Sequence, residues 1–211
     1  MIQRVSVNAS MLAAAPPKRE PVPDARTPPN GALGAAVSLK AFGGLDILVN
    51  NAGISFPEPA AEVTVEHWDA VMDVNLRAAC LLGSRIGGAM ARAGGGKIIN
   101  ISSTAGLRAL RDHYSYCVSK AGLVMATKVL ALELGPAGVR ANVLCPTVVM
   151  TEMGQRVWGA EAKAAPMLAR IPAGHFAAPS NVASAVMYLA SPASEMLNGV
   201  VFPIDGGYTI A

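Results

Sequence analysis

From residue 31 onward, short apolar runs rich in β-branched residues alternate with longer stretches in which apolar residues recur every three or four positions. The short runs predict strands over 45–50, 97–102, 139–144 and 199–204, each flanked by glycine or proline. The longer stretches predict helices over roughly 33–42, 65–93, 114–134 and 181–190. In the last of these, Val182, Ala185, Val186 and Leu189 share one face, and Pro179 and Ser180 mark its start. Strands alternating with helices are the signature of βαβ units around a parallel sheet, so the expected class is α/β.

Within 114–134, Val118, Gly122, Met125, Val129 and Leu132 form a stripe that needs burial, either against the sheet or against a partner subunit. Residues 15–30 differ from everything after them. They carry six prolines, which remove backbone donors and bias their neighbours away from helix. The organisation expected is a proline-rich, disordered tail over 1–30 and a single domain over 31–211.

Composition narrows the functional classes. A hydrophobic content of 52% with 15% charged residues suits one large buried core. The formal charge of +3 comes from 17 basic and 14 acidic residues with no run of like sign, so no nucleic-acid partner is expected. Cys80, Cys117 and Cys145 are odd in number, far apart and set in apolar surroundings, which suggests neither disulfides nor a metal site, and a reducing compartment. Arg85 interrupts the most apolar stretch, so no membrane span is expected. The first fifteen residues carry one arginine and no acid, a faint transit-peptide trait, and the cytoplasm is the default expectation.

Candidate chemistry gathers at strand ends, where ligands of open parallel sheets bind. The strand over 97–102 runs into Ser102 and Ser103, which could equally cap or turn the chain. In Y-C-V-S-K, Tyr116 and Lys120 stand four residues apart, which sets a phenol and an ammonium one helical turn apart on one face. L-D-I-L-V-N-N-A-G, residues 45–53, ends a strand in two asparagines and a glycine that permits close backbone approach. Asn75 stands in mid-helix, an unfavourable place that asks for a hydrogen-bonding reason. C-P-T-V-V-M-T follows the strand over 139–144. The triple glycine at 94–96 precedes a strand and so reads as a tight turn, not a phosphate loop.

In order and separation, N-N-A-G, Asn75, Ser103, Tyr116 with Lys120, and P-T-V-V-M-T resemble the short-chain dehydrogenase/reductase family over about residues 33–211. H-Y-S-Y-C-V-S-K, T-V-V-M-T-E-M-G-Q-R-V-W and M-L-A-R-I-P-A-G-H-F-A look most like its xylulose (dicarbonyl) reductase and polyol dehydrogenase branch.

The resemblance implies a Rossmann-like, doubly wound sheet and hydride exchange between a nicotinamide cofactor and a small polar ketone, dicarbonyl, ketose or polyol. It implies that Ser103, Tyr116, Lys120 and Asn75 are catalytic. Tyr116 would be the acid in reduction and the base in oxidation, its acidity raised by Lys120. Ser103 would orient the substrate oxygen, and Asn75 would hold a proton-relaying water. Asn50, Ala52, Gly53, Tyr116, Lys120, Val149 and Thr151 would bind the cofactor; Ser103, His113 and Trp158 would contact the substrate. By the closer likeness NADP(H) is favoured over NAD(H), and a homo-oligomer is expected. The same residues would serve reduction of a 3-oxoacyl thioester, whereas a catalytically silent product could keep the fold as an oligomerisation or regulatory module.

One part of the family pattern is missing. No strand, glycine-rich turn and helix that would seat a pyrophosphate is legible before residue 45. The expectation is an N-terminally truncated sheet lacking its opening strand-helix-strand-helix unit. Its strand over 45–50 would lie at an exposed edge, and its grip on cofactor would be poor.

Overall fold

The computed structural model describes residues 5–8 and 44–211. Five strands form one parallel sheet in chain order: β1 Val5–Asn8, β2 Ile47–Asn50, β3 Gly96–Ile101, β4 Val139–Pro146 and β5 Val201–Ile204. Four of these are the expected strands, shifted by at most two residues at either end.

β1 corrects the expectation for the N-terminal segment. Val5 pairs with Ile47 and Asn8 with Asn50, so the strand at 47–50 is flanked on both sides and is not the edge. V-S-V-N is only one four-residue alternation, too short to stand out beside the prolines that follow. The helix expected over 33–42 and the proline-rich stretch over 15–30 lie outside the described residues.

Strand residues of opposite parity feed two apolar layers, one on each face of the sheet. Leu48, Ile98 and Ala141 join Leu82, Ile86 and Met90 on one side. Ile47, Val49, Ile99 and Ile101 meet Leu189, Val182, Ala185 and Val186 on the other. The doubly wound arrangement implied by the family resemblance is therefore present.

On the first side run α1 Val65–Met72, a π-helical turn Asp73–Arg77, α2 Ala78–Arg92 and α3 Tyr114–Leu134. α2 and α3 approach closely: a Cβ on Gly87 would lie 2.7 Å from Leu134 Cδ1. Two short helices follow β4, α4 Glu152–Trp158 and α5 Glu161–Leu168, before α6 Pro179–Ala190 covers the second face. Among the described residues no helix is long and apolar enough to cross a membrane, and no cluster of potential metal ligands occurs. Cys80, Cys117 and Cys145 are all unpaired.

The apolar stripe of α3 does not pack on the sheet. Met125 is 58% exposed and Leu132 78%, with Val118 and Val129 also exposed. The buried face carries Ser115, Ser119, Lys120, Leu123, Val124, Thr127 and Ala131. It is half polar because it adjoins the site described next, so apolar periodicity follows the opposite face.

Candidate active site

The carboxyl ends of β2, β3, β4 and β5 open into one cavity of about 410 Å³. Ser103, Tyr116, Lys120, Ala52, Gly53, Val149, Thr151, His113 and Trp158 all line it, nine of the residues singled out from the sequence. Asn50 and Asn75 do not.

Each catalytic candidate is fixed locally before it meets the others. β3 ends at Ile101, and Ser102 Oγ donates to the Lys120 carbonyl at 2.8 Å, locking the strand end onto α3. Ser103 Oγ accepts from Ala105 N–H at 3.1 Å, capping a 3-10 turn, so the capping role foreseen for these serines holds alongside the cavity position. Gly106 in that turn lies flat on α3: a Cβ there would be 2.8 Å from the Lys120 carbonyl carbon and oxygen. Asp112, with φ 59°, swings the chain into α3, a conformation that Asp tolerates better than most residues.

One turn into α3, Tyr116 is half-buried and Lys120 is 3% exposed, with Lys120 Nζ 5.6 Å from the centre of the Tyr116 ring. The ammonium donates to the Ile101 carbonyl at 2.9 Å. Burial lowers the Lys120 pKa to about 8, with Cys145 nearby acting in the opposite sense. Burial also pushes the Tyr116 phenol above its ordinary value, and the Ser103 hydroxyl pulls it partway back. The net shift is therefore upward, opposite to the depression expected from Lys120, with desolvation as its largest cause.

Asn75 has a hydrogen-bonding reason for its place in mid-helix. The residue sits in the π-helical turn, where Ala78 N–H reaches back to the Asp73 carbonyl. Its Oδ1 accepts from Ile54 N–H at 2.8 Å. Its Nδ2 donates to the Ile54 carbonyl at 2.9 Å and to Ser119 Oγ at 3.2 Å. Both amide hydrogens are committed, and the side chain clamps the loop after β2. Asn50, expected to border the cofactor, is not among the residues lining the cavity. It is buried under the sheet, where Nδ2 donates to Asn100 Oδ1 at 2.8 Å. Its neighbour Asn51 lines the cavity in its place.

His113 and Trp158 are brought together. Their rings stack at 6.5 Å with 12° between planes, and His113 meets the Tyr116 ring edge-on at 6.2 Å. His113 Nδ1 donates to the Arg111 carbonyl at 2.8 Å, since a carbonyl can only accept, which leaves Nε2 as the acceptor nitrogen. Sequence reading missed Arg108, Met167 and Tyr208 in the lining. The usable signal was that the loops after β3, β4 and β5 all follow carboxyl ends of strands.

The lining suits one end of a dinucleotide. Gly53 forms a cradle in which a Cβ would stand 3.4 Å from Lys120 Nζ and 3.6 Å from Asn75 Oδ1, so a glycine keeps the backbone open for close approach.

Comparisons with known proteins agree with this geometry. Residues 24–209 match a family model described as Enoyl-(Acyl carrier protein) reductase. The chain is 46% identical over 170 residues to D-threitol dehydrogenase of Mycolicibacterium smegmatis, a stretch covering 80% of this chain and 65% of that protein. It is 45% identical over 174 residues to L-xylulose reductase of Mesocricetus auratus, covering 82% and 71% respectively. It is also 41% identical to the NAD-dependent glycerol dehydrogenase of Listeria innocua, over 81% of this chain and 67% of that one. Among solved structures, a gluconate 5-dehydrogenase from Burkholderia cenocepacia in complex with NADP and tartrate superimposes with a TM-score of 0.82 at 31% identity, over 86% of this chain and 71% of that one. The match spans the serine, tyrosine and lysine that meet at the cavity, and the chain belongs to the short-chain dehydrogenase/reductase family.

Proposed function

We propose that the protein is an NAD(P)(H)-dependent oxidoreductase that interconverts a ketone and a secondary alcohol on a small polyhydroxylated or dicarbonyl substrate, as its xylulose reductase and threitol dehydrogenase relatives are named for doing. The observation that carries this reading is the convergence of Ser103, Tyr116 and Lys120 on one cavity at the carboxyl end of a parallel sheet.

Ser103 orients the substrate oxygen toward Tyr116. In reduction the Tyr116 phenol gives its proton to that oxygen, and in oxidation the phenolate withdraws it. Burial keeps the phenol protonated, the form that reduction starts from. Lys120, still mostly protonated at neutral pH with a pKa of about 8, stabilises the phenolate left behind and offers donors to ribose hydroxyls. Ala52, Gly53, Val149 and Thr151 would hold the cofactor, and His113 and Trp158 would contact the substrate. A bound nicotinamide supplies or accepts the hydride. Asn75 acts by positioning the loop that carries Ala52 and Gly53.

NADP(H) is the cofactor we favour, by likeness to the xylulose reductases, and three unpaired cysteines suit a reducing compartment such as the cytoplasm. The exposed stripe of α3 supports self-association through that face. The test is fluorescence titration of the purified chain with NADPH and NADH, followed by near-ultraviolet absorbance assays with a ketose, a dicarbonyl and a 3-oxoacyl thioester. Saturable cofactor binding with turnover of the first two supports the reading. Turnover of the thioester alone, or no binding by a folded sample, overturns it.

A further inference from the structure

The chain after β5 is built to hold one side chain in the wall of the cavity. Asp205 accepts from Gly207 N–H at 3.0 Å, Thr209 N–H at 2.8 Å and Thr209 Oγ1 at 2.6 Å, closing a tight turn. Gly206 and Gly207 adopt φ of 59° and 93°, conformations that L side chains rarely accept. The turn lies against the segment after α5, where a Cβ on Gly206 would be 2.8 Å from Ala173 Cβ. Arg108, on the loop that follows Ser103, donates from Nη1 to the Tyr208 carbonyl at 2.8 Å and to the Ala211 carbonyl at 2.7 Å.

Tyr208 is what this arrangement holds. It is 2% exposed, lines the cavity and packs with Val148, Met167 and Ile171, while Trp158 borders the same cluster. The guanidinium carbons of Arg108 and Arg170 lie 5.1 and 5.2 Å from its ring centre. Tyr116, His113, Trp158 and Tyr208 thus follow one another along a continuous wall. Yet the Tyr208 hydroxyl is buried with no hydrogen-bond partner in the protein. Structure alone would be served by phenylalanine at this position. A buried, unpartnered hydroxyl beside a cavity is the kind of exception that a ligand or an ordered water accounts for.

We propose that Tyr208 is a specificity-determining residue whose hydroxyl hydrogen-bonds a substrate hydroxyl in the cavity. This rests on the ketone–alcohol reading above and deepens it, because it selects polyhydroxylated ketones over small ketones that lack hydroxyls. Diacetyl carries no hydroxyl for the phenol to pair with and gains nothing from it.

The test compares the wild-type chain with Tyr208→Phe, which keeps the ring between its arginines and removes one oxygen. KM for a ketose is expected to rise about tenfold, the usual order for one hydrogen bond, while KM for diacetyl and kcat for both stay level. Equal KM values for the ketose in the two proteins overturn the proposal, as does a parallel rise for both substrates, which would mark a structural role or a bound water. Tyr208→Ala serves as the second variant; it opens the wall and is expected to raise KM for both ketones. Absence of any wild-type turnover would instead strike at the oxidoreductase reading itself.

Discussion

Replacing Lys120 by Met should make the cofactor-free protein more stable while destroying its activity. The lysine is 3% exposed, and burial brings its pKa from 10.5 to about 8, so the folded state disfavours the charged form. At about 1.4 kcal/mol per pKa unit, that difference is a penalty of roughly 3 kcal/mol at pH 7. Methionine matches the length of the chain and carries no charge, but it leaves the Ile101 carbonyl without its 2.9 Å donor, a loss of about 1 kcal/mol. The net gain is roughly 2 kcal/mol, or about 4–8 °C in Tm for a chain of this size.

The sign can be followed with pH. Below about 8 both the unfolded and the folded wild type hold the proton and the penalty is complete. Between about 8 and 10.5 the folded state releases the proton first, so wild-type stability rises relative to the variant. Paired urea or thermal unfolding from pH 7 to 10 should therefore show the Lys120→Met advantage shrinking and then reversing. A variant less stable than wild type at pH 7, or an advantage that does not change with pH, would refute the reasoning.

Two further outcomes follow from packing. Gly106→Ala places a methyl 2.8 Å from the Lys120 carbonyl group and 2.9 Å from Ala121 N, all of them helix backbone that cannot move aside, and should cost about 2–3 kcal/mol by urea unfolding. A midpoint equal to wild type would show that the turn after Ser103 is not seated on α3. Leu132→Glu, on the exposed stripe of α3, should lower the molar mass measured by light scattering and leave the monomer folded by circular dichroism. An unchanged mass would remove α3 from the contact between copies.

Much of the framework could be read from periodicity because its elements are long or strongly apolar. α3 spans the residues expected, and Leu189 with Val182, Ala185 and Val186 forms the sheet-facing side of α6. What escaped was decided by tertiary context. α4 and α5 are seven and eight residues long, and α5 contains Pro166; helices so short depend on packing, not on propensity. At the end of β2, strand parity separates two adjacent asparagines: Asn50 turns under the sheet toward Asn100, and Asn51 toward the cavity. Asn75 stands out as an oddity in mid-helix, but its partners, the backbone of Ile54 21 residues earlier and the Ser119 hydroxyl, are revealed by no local pattern. Tyr208 depends on the positive-φ pair Gly206 and Gly207, a turn signal that was present in the sequence without indicating its direction.

The most direct measurement is the rate of NADPH-dependent ketose reduction by wild type and by Tyr116→Phe. Phenylalanine keeps the ring beside Lys120 and deletes the hydroxyl that carries the transferable proton. Turnover by wild type with a loss of about a thousandfold in the variant, at unchanged cofactor affinity, is the predicted result. A variant that retains a tenth or more of wild-type turnover would contradict proton transfer from this phenol, and with it the chemistry assigned to the cavity.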